Sequence, residues 1–106
     1  MFHKFYDQKI LHDGLVTLSM KDSKSITDYG LSLVLRKSPN LKHLDLTGCV
    51  NIGDVCMREL GMHCHQLQTL ILTSCHAING EGLIAVGDMC RNLRKLSLSR
   101  CKNVEK

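Results

Sequence analysis

Cysteine and histidine are the residues of this sequence with the widest range of chemistry. The 106-residue chain has six of each, and the densest group is His63-Cys64-His65 with Cys56 nearby. A thiolate beside an imidazole is a catalytic nucleophile in many enzymes, and the same two groups are common zinc ligands. The sequence has no Cys-x-x-Cys pair and no complete ligand set at the usual spacing. We therefore expect no metal site.

Catalysis by Cys56 is the remaining enzymatic interpretation, with His63 about two helical turns further on. The sequence has no Gly-x-Ser-x-Gly motif, no phosphate-binding loop and no coupled pair of carboxylates. A regular repeat explains the other five cysteines better than catalysis does. We expect a protein that is not an enzyme and uses no cofactor, and a single hyper-reactive thiol would restore the enzymatic interpretation.

The spacing of the leucines indicates what positions the cysteines. From Leu15 onward the sequence divides into rows of 26 residues, which we call rows one to four: 15–40, 41–66, 67–92 and the partial row 93–106. Rows two to four begin with the pattern L-x-x-L-x-L, and row one has Met20 at the third apolar position. Two columns of small residues recur with the same period, the first at Cys49, Cys75 and Cys101, and the second at Ser38, Cys64 and Cys90.

Each row predicts one strand followed by one helix. The L-x-x-L-x-L segment alternates with period two, as in a short strand with one buried face, and the middle of each row changes to helical spacing. A single unit cannot bury its apolar columns alone, so the rows must stack on one another. The predicted fold is an α/β solenoid, a short right-handed arc with parallel strands on the concave face and helices on the convex face.

The cysteines of both columns have a structural explanation in such a stack. The residue that follows the strand enters a turn, where it must be small and where a weak donor can bond a carbonyl of the neighbouring turn. We interpret Cys49, Cys75 and Cys101, with Cys64 and Cys90, as structural thiols. The alternative is a disulfide between rows, because stacked strands lie about 4.8 Å apart.

The pattern L-x-x-L-x-L-x-x-C-x-x-I, clearest in LKHLDLTGCVNIGD and LQTLILTSCHAING, resembles the cysteine-containing leucine-rich repeats of the ribonuclease-inhibitor-like superfamily. This class is typical of F-box/LRR proteins, the substrate receptors of cullin-based ubiquitin ligases. Similar repeats occur in ciliary, axonemal and mitochondrial assembly proteins. The resemblance covers residues 15–106, which are repeats. The F-box is a separate helical segment, so binding to the ligase adaptor is not carried over to any residue.

The resemblance implies a non-catalytic module for protein–protein interaction. Its first expected role is the substrate-recognition repeat region of an F-box/LRR-like ubiquitin ligase receptor. The alternative is a structural or assembly subunit of a large multiprotein complex, such as a ciliary, axonemal or mitochondrial one.

The concave face is the expected partner-binding surface. Side chains that alternate with the buried leucines point to this face, and most of them are small and polar. The apolar Ile71 is the exception at its centre, and an ordinary exposed apolar residue is the simpler interpretation of it. The candidate residues are His43, Asp45, Thr69, Ile71, Lys95 and Ser97.

A basic flank is the second candidate surface. Stacking would bring the basic residues of two turns toward one side, where they would meet an acidic partner or a phosphate backbone. The simpler interpretation is a solvated rim, which the formal net charge of only +4 favours. The residues are Arg36, Lys37, Lys42, Arg91, Arg94, Arg100 and Lys102.

Both ends of a solenoid need a cover. Residues 1–14 carry Phe2, Phe5 and Tyr6, and we predict an amphipathic helix there that caps the first strand. No cap is visible beyond the strand of Leu96 and Leu98. We predict that this end is covered by another subunit, a second copy or further sequence.

Composition indicates the compartment and excludes some partners. No apolar run approaches the roughly 20 residues that span a bilayer, and the N-terminal residues lack the apolar core of a signal peptide. Only 4% of the residues are aromatic, which argues against a stacking platform for single-stranded nucleic acid. We expect a cytoplasmic or nuclear protein with no membrane span and no nucleic-acid partner.

Overall fold

The computed structural model describes residues 14–104, in which strands and helices alternate strictly. The predicted helix over residues 1–14 lies outside the described residues, apart from Gly14. No helix among the described residues is long and apolar enough to cross a membrane. The elements are β1 Thr17–Ser19, α1 Asp28–Arg36, β2 His43–Asp45, α2 Asp54–His63, β3 Thr69–Ile71, α3 Gly80–Met89 and β4 Lys95–Ser97.

The four strands form one parallel sheet in chain order, β1-β2-β3-β4. Their register follows the repeat, so that Leu18 pairs with Leu44, which in turn pairs with Leu70. Each helix connects two neighbouring parallel strands, as a parallel pairing requires. The predicted α/β repeat fold is confirmed.

The core lies between the sheet and the helices and is formed by the apolar columns. Leu44 and Leu70 at the strand centres are at most 1% exposed, and Met57 and Leu60 of α2 are fully buried in the same core. Burial of one such side chain stabilises the fold by about 1.5–3 kcal/mol. The apolar columns therefore hold the rows together. The side chains at the alternate strand positions point away from this core.

One position after each strand adopts a left-handed backbone conformation. Asp22, Gly48, Ser74 and Arg100 occupy it with φ angles of 61°, 75°, 62° and 62°. Glycine adopts this conformation most readily, and an added Cβ at Gly48 would lie 2.5 Å from an Asp22 carboxylate oxygen, so that the Asp22 side chain would have to move. The turn lets the amide of Asp22 donate to the Thr47 carbonyl of the next row at 2.7 Å.

Aspartates at the helix starts connect one row to the next. The carboxylate of Asp28 accepts a hydrogen bond from the amide of Gly53, the N-cap residue of α2, at 2.7 Å. Asp54 likewise accepts from the amide of Asn79, the N-cap residue of α3, at 3.0 Å. A carboxylate at a helix N-terminus is also favoured by the helix dipole. The third row has Gly80 at this position and does not offer this acceptor.

Glycines allow α2 and α3 to pack closely. An added Cβ at Gly61 would lie 2.9 Å from the Ala85 carbonyl oxygen, and one at Gly82 would lie 2.8 Å from Cβ of Met57. Helix packing thus continues the repeat on the outer layer of the fold.

Candidate protein interface

The first column of thiols connects each strand turn to the preceding row. All six cysteines are free and buried. Each of the three thiols of the first column donates to the backbone carbonyl 29 residues earlier, at the third apolar position of the preceding row. The pairs are Cys49 with Met20 at 3.0 Å, Cys75 with Leu46 at 2.9 Å, and Cys101 with Leu72 at 2.8 Å.

The second column forms a similar series at the other edge of the sheet. The Cys64 thiol donates to the Ser38 carbonyl at 3.4 Å, and the Cys90 thiol donates to the Cys64 carbonyl at 3.4 Å. Ser38 itself donates to the Val34 carbonyl at 2.7 Å. These contacts use the thiols as small buried donors.

The environment of the thiols opposes nucleophilic chemistry. Burial raises the pKa of Cys64 and of Cys75 to about 12. Burial, followed by the nearby charge of Asp28, raises the pKa of Cys56 well above its ordinary value. The candidate base His63 instead lies 3.5 Å from the Glu59 carboxylate. A reactive thiolate needs the opposite environment, with an exposed sulfur and nearby positive charge.

The segment His63-Cys64-His65 does not form a metal site. Cys64 points into the core, whereas His65 is exposed. Among the described residues, no group of three or more histidine, cysteine or acidic side chains is placed to hold a metal ion.

The sheet has one face covered by the helices and one open face, which is the predicted concave face. Side chains on the open face form two lines across the strands. The first line is Thr17, His43, Thr69 and Lys95, and the second is Ser19, Asp45, Ile71 and Ser97. All six predicted contact residues are members of these lines.

Hydrogen bonds fix much of the polar side-chain array on the open face. His43 Nδ1 lies 3.1 Å from the Thr69 hydroxyl of the next row, and the Thr73 and Ser97 hydroxyls are 3.2 Å apart. Asp45 does not pair with His43: its Oδ1 accepts the amide of Thr47 at 3.0 Å and the hydroxyl of the same residue at 2.6 Å. The open face is therefore preorganised.

Three side chains of the open face are available for strong contacts with a partner. Asp45 Oδ2 has no hydrogen-bond partner within residues 14–104, and the ammonium group of Lys95 forms no ion pair there. Ile71 lies between them in the chain order of the strands and is half-buried. The face thus offers an acid, an apolar group and a base on three successive strands.

Five of the seven predicted basic residues precede a strand, and the other two follow one. Because the strands are parallel, residues that precede a strand lie at one edge of the sheet and residues that follow it lie at the other. Arg36 is additionally engaged by Glu59, whose carboxylate accepts from its Nε at 2.7 Å. Lys37, Lys42, Arg91 and Arg94 precede strands, whereas Arg100 and Lys102 follow β4.

Sequence reasoning missed the links that asparagine side chains make between rows. Asn51 donates to the Lys24 carbonyl and Asn103 donates to the His76 carbonyl, each at 2.6 Å. Both asparagines occupy one column of the repeat, two residues after the first thiol column. Aligning the rows column by column reveals this recurring asparagine in the sequence.

Comparison with known proteins agrees with this geometry. A family model described as Leucine Rich repeat matches residues 37–61 and 63–87. The F-box protein SKIP1 of Arabidopsis thaliana is 33% identical over 70 residues, which are 66% of this chain and 23% of that protein. The F-box/LRR-repeat protein 12 of the same plant is 39% identical over 76 residues, covering 72% of this chain and 19% of that protein. The chain is a leucine-rich repeat protein of the F-box/LRR-like type.

A solved structure shares the fold of this repeat protein. A chain in the crystal structure of the yeast Rad7 and Elc1 complex superimposes with a TM-score of 0.68 at 28% identity, over 81% of this chain and 21% of that one. The chain spans about a fifth of the length of these relatives.

Proposed function

We propose that the open face of the sheet recognises a protein partner, as the substrate-recognition repeat region of an F-box/LRR-like ubiquitin ligase receptor. The observation that carries this proposal is the hydrogen-bonded open face, whose side chains contribute little to the core and are held in place. A preorganised surface loses less side-chain entropy on binding. The F-box relatives supply the expected pathway.

The chemistry of the face defines a complementary partner segment. A basic group or amide would meet the Asp45 carboxylate, an apolar side chain would cover Ile71, and an acidic group would meet Lys95. Such a segment runs across the strands, because these three residues belong to three successive strands. Central apolar contacts surrounded by polar ones are typical of binding hot spots.

The test is affinity purification of the whole chain from cells, with mass spectrometry, in the presence and absence of a cullin-ligase inhibitor. We expect a set of bound proteins that accumulates when the ligase is inhibited and that is lost with Ile71→Asp combined with Lys95→Glu. The matched control is Val55→Asp combined with Arg58→Glu on the helical side, where both positions are exposed and the change in net charge is the same. Equal loss with the control variant contradicts recognition by the open face.

A permanent role in a large assembly is the second candidate function. The observation that bears on it is Leu96 of β4, which is 42% exposed although its counterparts in the other rows are buried, so that β4 offers a place for a further row of the stack. An assembly subunit would copurify with a fixed set of proteins, in constant proportions, whether or not the ligase is inhibited. That result would replace the receptor proposal.

We also propose a non-catalytic, cytoplasmic protein. Support comes from the six free, buried thiols, which suit a reducing compartment, and from the raised pKa values of Cys56, Cys64 and Cys75. Thiol-reactivity profiling tests the first part, since one hyper-reactive cysteine would contradict it. Imaging of the tagged whole chain tests the second.

A further inference from the structure

Two apolar side chains of α2 point away from the core into solvent. Val55 is 50% exposed and Met62 is 56% exposed, whereas Met57 and Leu60 of the same helix are fully buried. Val55 and Met62 are seven residues apart, which is close to two helical turns, so both point in the same direction. A surface helix ordinarily carries polar residues on the side opposite its buried stripe. The outermost positions of α2 therefore differ from those of an ordinary solvated helix.

The residues at the same repeat positions of α1 and α3 continue these two side chains into two lines across the helices. The period of 26 residues fixes the members of each line, and all of them are exposed. We call the two lines together the outer helix surface. The first line is Tyr29, Val55 and Glu81, and the second is Arg36, Met62 and Asp88.

The outer helix surface changes from basic to apolar to acidic along the order of the helices. Arg36 of α1 is basic, the residues of α2 are apolar, and Glu81 and Asp88 of α3 are acidic. Neither of these two carboxylates forms an ion pair within residues 14–104. Arg36 uses its Nε on Glu59, and its side chain is 50% exposed, so its guanidinium retains donors for a second carboxylate.

This order of groups is complementary to itself under a two-fold rotation. A two-fold axis in the contact plane, parallel to α2, sets α2 against its own counterpart and α1 against α3 of the second copy. The apolar side chains of α2 then meet at the axis, and Arg36 of each copy lies opposite Asp88 of the other. An axis across the helices would instead set Glu81 opposite Asp88, and like charges across an interface are costly.

We propose that two copies of this chain associate through the outer helix surface, with the two-fold axis parallel to α2. A further repeat does not compete for this surface, because repeats stack at the β1 and β4 ends of the sheet. The outer helix surface also lies on the other side of the core from the open face of the sheet. Association therefore leaves the open face free and does not rest on the proposed substrate recognition.

The size of the outer helix surface sets the strength of this association. The three helices have nine or ten residues each. Helices about 15 Å long and about 10 Å apart cover about 450 Å² in each copy. The two copies together bury about 900 Å², which is at the low end of specific protein interfaces. We expect a weak, reversible dimer whose population depends on concentration.

The first test is sedimentation equilibrium of the whole chain over a range of concentrations. We expect the mean mass to rise with concentration from the 11.9 kDa of one chain toward that of two. Met62→Lys should hold it at the mass of one chain, because two ammonium groups would meet at the axis, and should leave Tm unchanged, because Met62 is exposed. The matched control is Val16→Lys, the same change of charge at an exposed apolar residue before β1.

The second test exchanges charges to examine the orientation of the two copies. Arg36→Glu and Asp88→Arg should each weaken self-association at least about tenfold, because each variant sets like charges opposite one another. An equal mixture of the two variants should recover the association of the wild type, since both contacts again join opposite charges. Lys21→Glu, which makes the same change as Arg36→Glu at an exposed position after β1, should associate like the wild type.

Three results would overturn the proposal. The first is a mean mass that stays at that of one chain at every concentration. The second is self-association of Met62→Lys equal to that of the wild type, which assigns the contact to another surface. The third is an equal mixture of Arg36→Glu and Asp88→Arg that associates no better than either variant alone, which contradicts the two-fold arrangement.

Discussion

Rows two and four carry the same leucine pattern but different environments. The central leucine of row two, Leu44, is 1% exposed, while that of row four, Leu96, is 42% exposed. Their backbones form the same parallel pairing with the preceding strand. The difference is the following row, which covers Leu44 and is not present beside Leu96 in the described structure. Burial in a stack is therefore a property of neighbouring rows more than of the residue itself.

The two thiols at corresponding positions show which contacts do not depend on a following row. Cys75 is fully buried and Cys101 is 9% exposed, yet both donate to the carbonyl of the preceding row. The thiol donates to the row that precedes it, whereas the burial of a strand leucine depends on the preceding row and on the following row. Interior and end rows should therefore differ most in apolar energetics and least in thiol hydrogen bonding.

The largest expected effect tests the apolar part of this comparison. Leu70→Ala removes a fully buried side chain and should lower the free energy of unfolding by about 3 kcal/mol, through lost burial and the cavity that remains. Leu96→Ala should cost about 1 kcal/mol, because its side chain is already partly in water. Urea denaturation of both variants measures the difference. Equal losses would show that another segment covers Leu96 in solution.

The two helix glycines provide the second test. Gly61→Ala should lower the free energy of unfolding by about 1–3 kcal/mol, since its Cβ meets the Ala85 carbonyl at 2.9 Å. Gly87→Ala should raise the same quantity by about 0.5–1 kcal/mol, because alanine is the better helix former and the site is open. Thermal denaturation checks both signs. A loss of stability with Gly87→Ala would contradict the open helical face.

The thiol contact is the third test and should change less. Cys75→Ala removes the donor to the Leu46 carbonyl and should cost about 1–2 kcal/mol. Cys75→Ser keeps a donor, as Ser23 does at this position of row one, and should cost less than the alanine variant. Cys101→Ala should resemble Cys75→Ala in sign with a smaller size. Urea denaturation under reducing conditions decides, and a serine variant worse than alanine would indicate that packing, not donation, matters at this column.

The smallest effect concerns charge, where rows one and two contain an ion pair and row four has unpaired cations. The hydrogen bond from Arg36, together with its charge, lowers the pKa of Glu59 below the ordinary value of 4.5. The folded state thus favours the ionised carboxylate, so its contribution is complete above pH 4.5 and is lost as the pH falls through the lowered pKa.

Arg36→Gln should therefore lower Tm slightly at pH 7, and the difference from the wild type should shrink as the pH falls below 4.5. The effect is small because the pair lies at the surface and is screened by salt. Arg91→Gln, which removes an exposed cation without an ion pair within residues 14–104, is the control and should show no such pH dependence. A parallel pH profile for Arg36→Gln and wild type would contradict the assigned coupling.

The leucine columns made the fold predictable, because a period of 26 residues with alternating strands and helical spacing leaves few ways to bury the apolar side chains. The left-handed turn position was not predictable from residue type, since Asp22 and Arg100 adopt a conformation that usually favours glycine. The basic flank stays a prediction: five of its seven residues precede a strand, whereas Arg100 and Lys102 follow β4 and lie at the other end of the strands.

The sequence by itself determined the repeat, the parallel order of strands and helices, and which side chains face the open side of the sheet. Only the tertiary structure decided what those side chains do: Asp45 accepts hydrogen bonds from Thr47, and His43 is hydrogen-bonded to Thr69. The physical reason is that periodicity fixes the direction of a side chain along its own strand. A partner in another row, such as Thr69 for His43 at a distance of 26 residues in the chain, depends on how the rows stack.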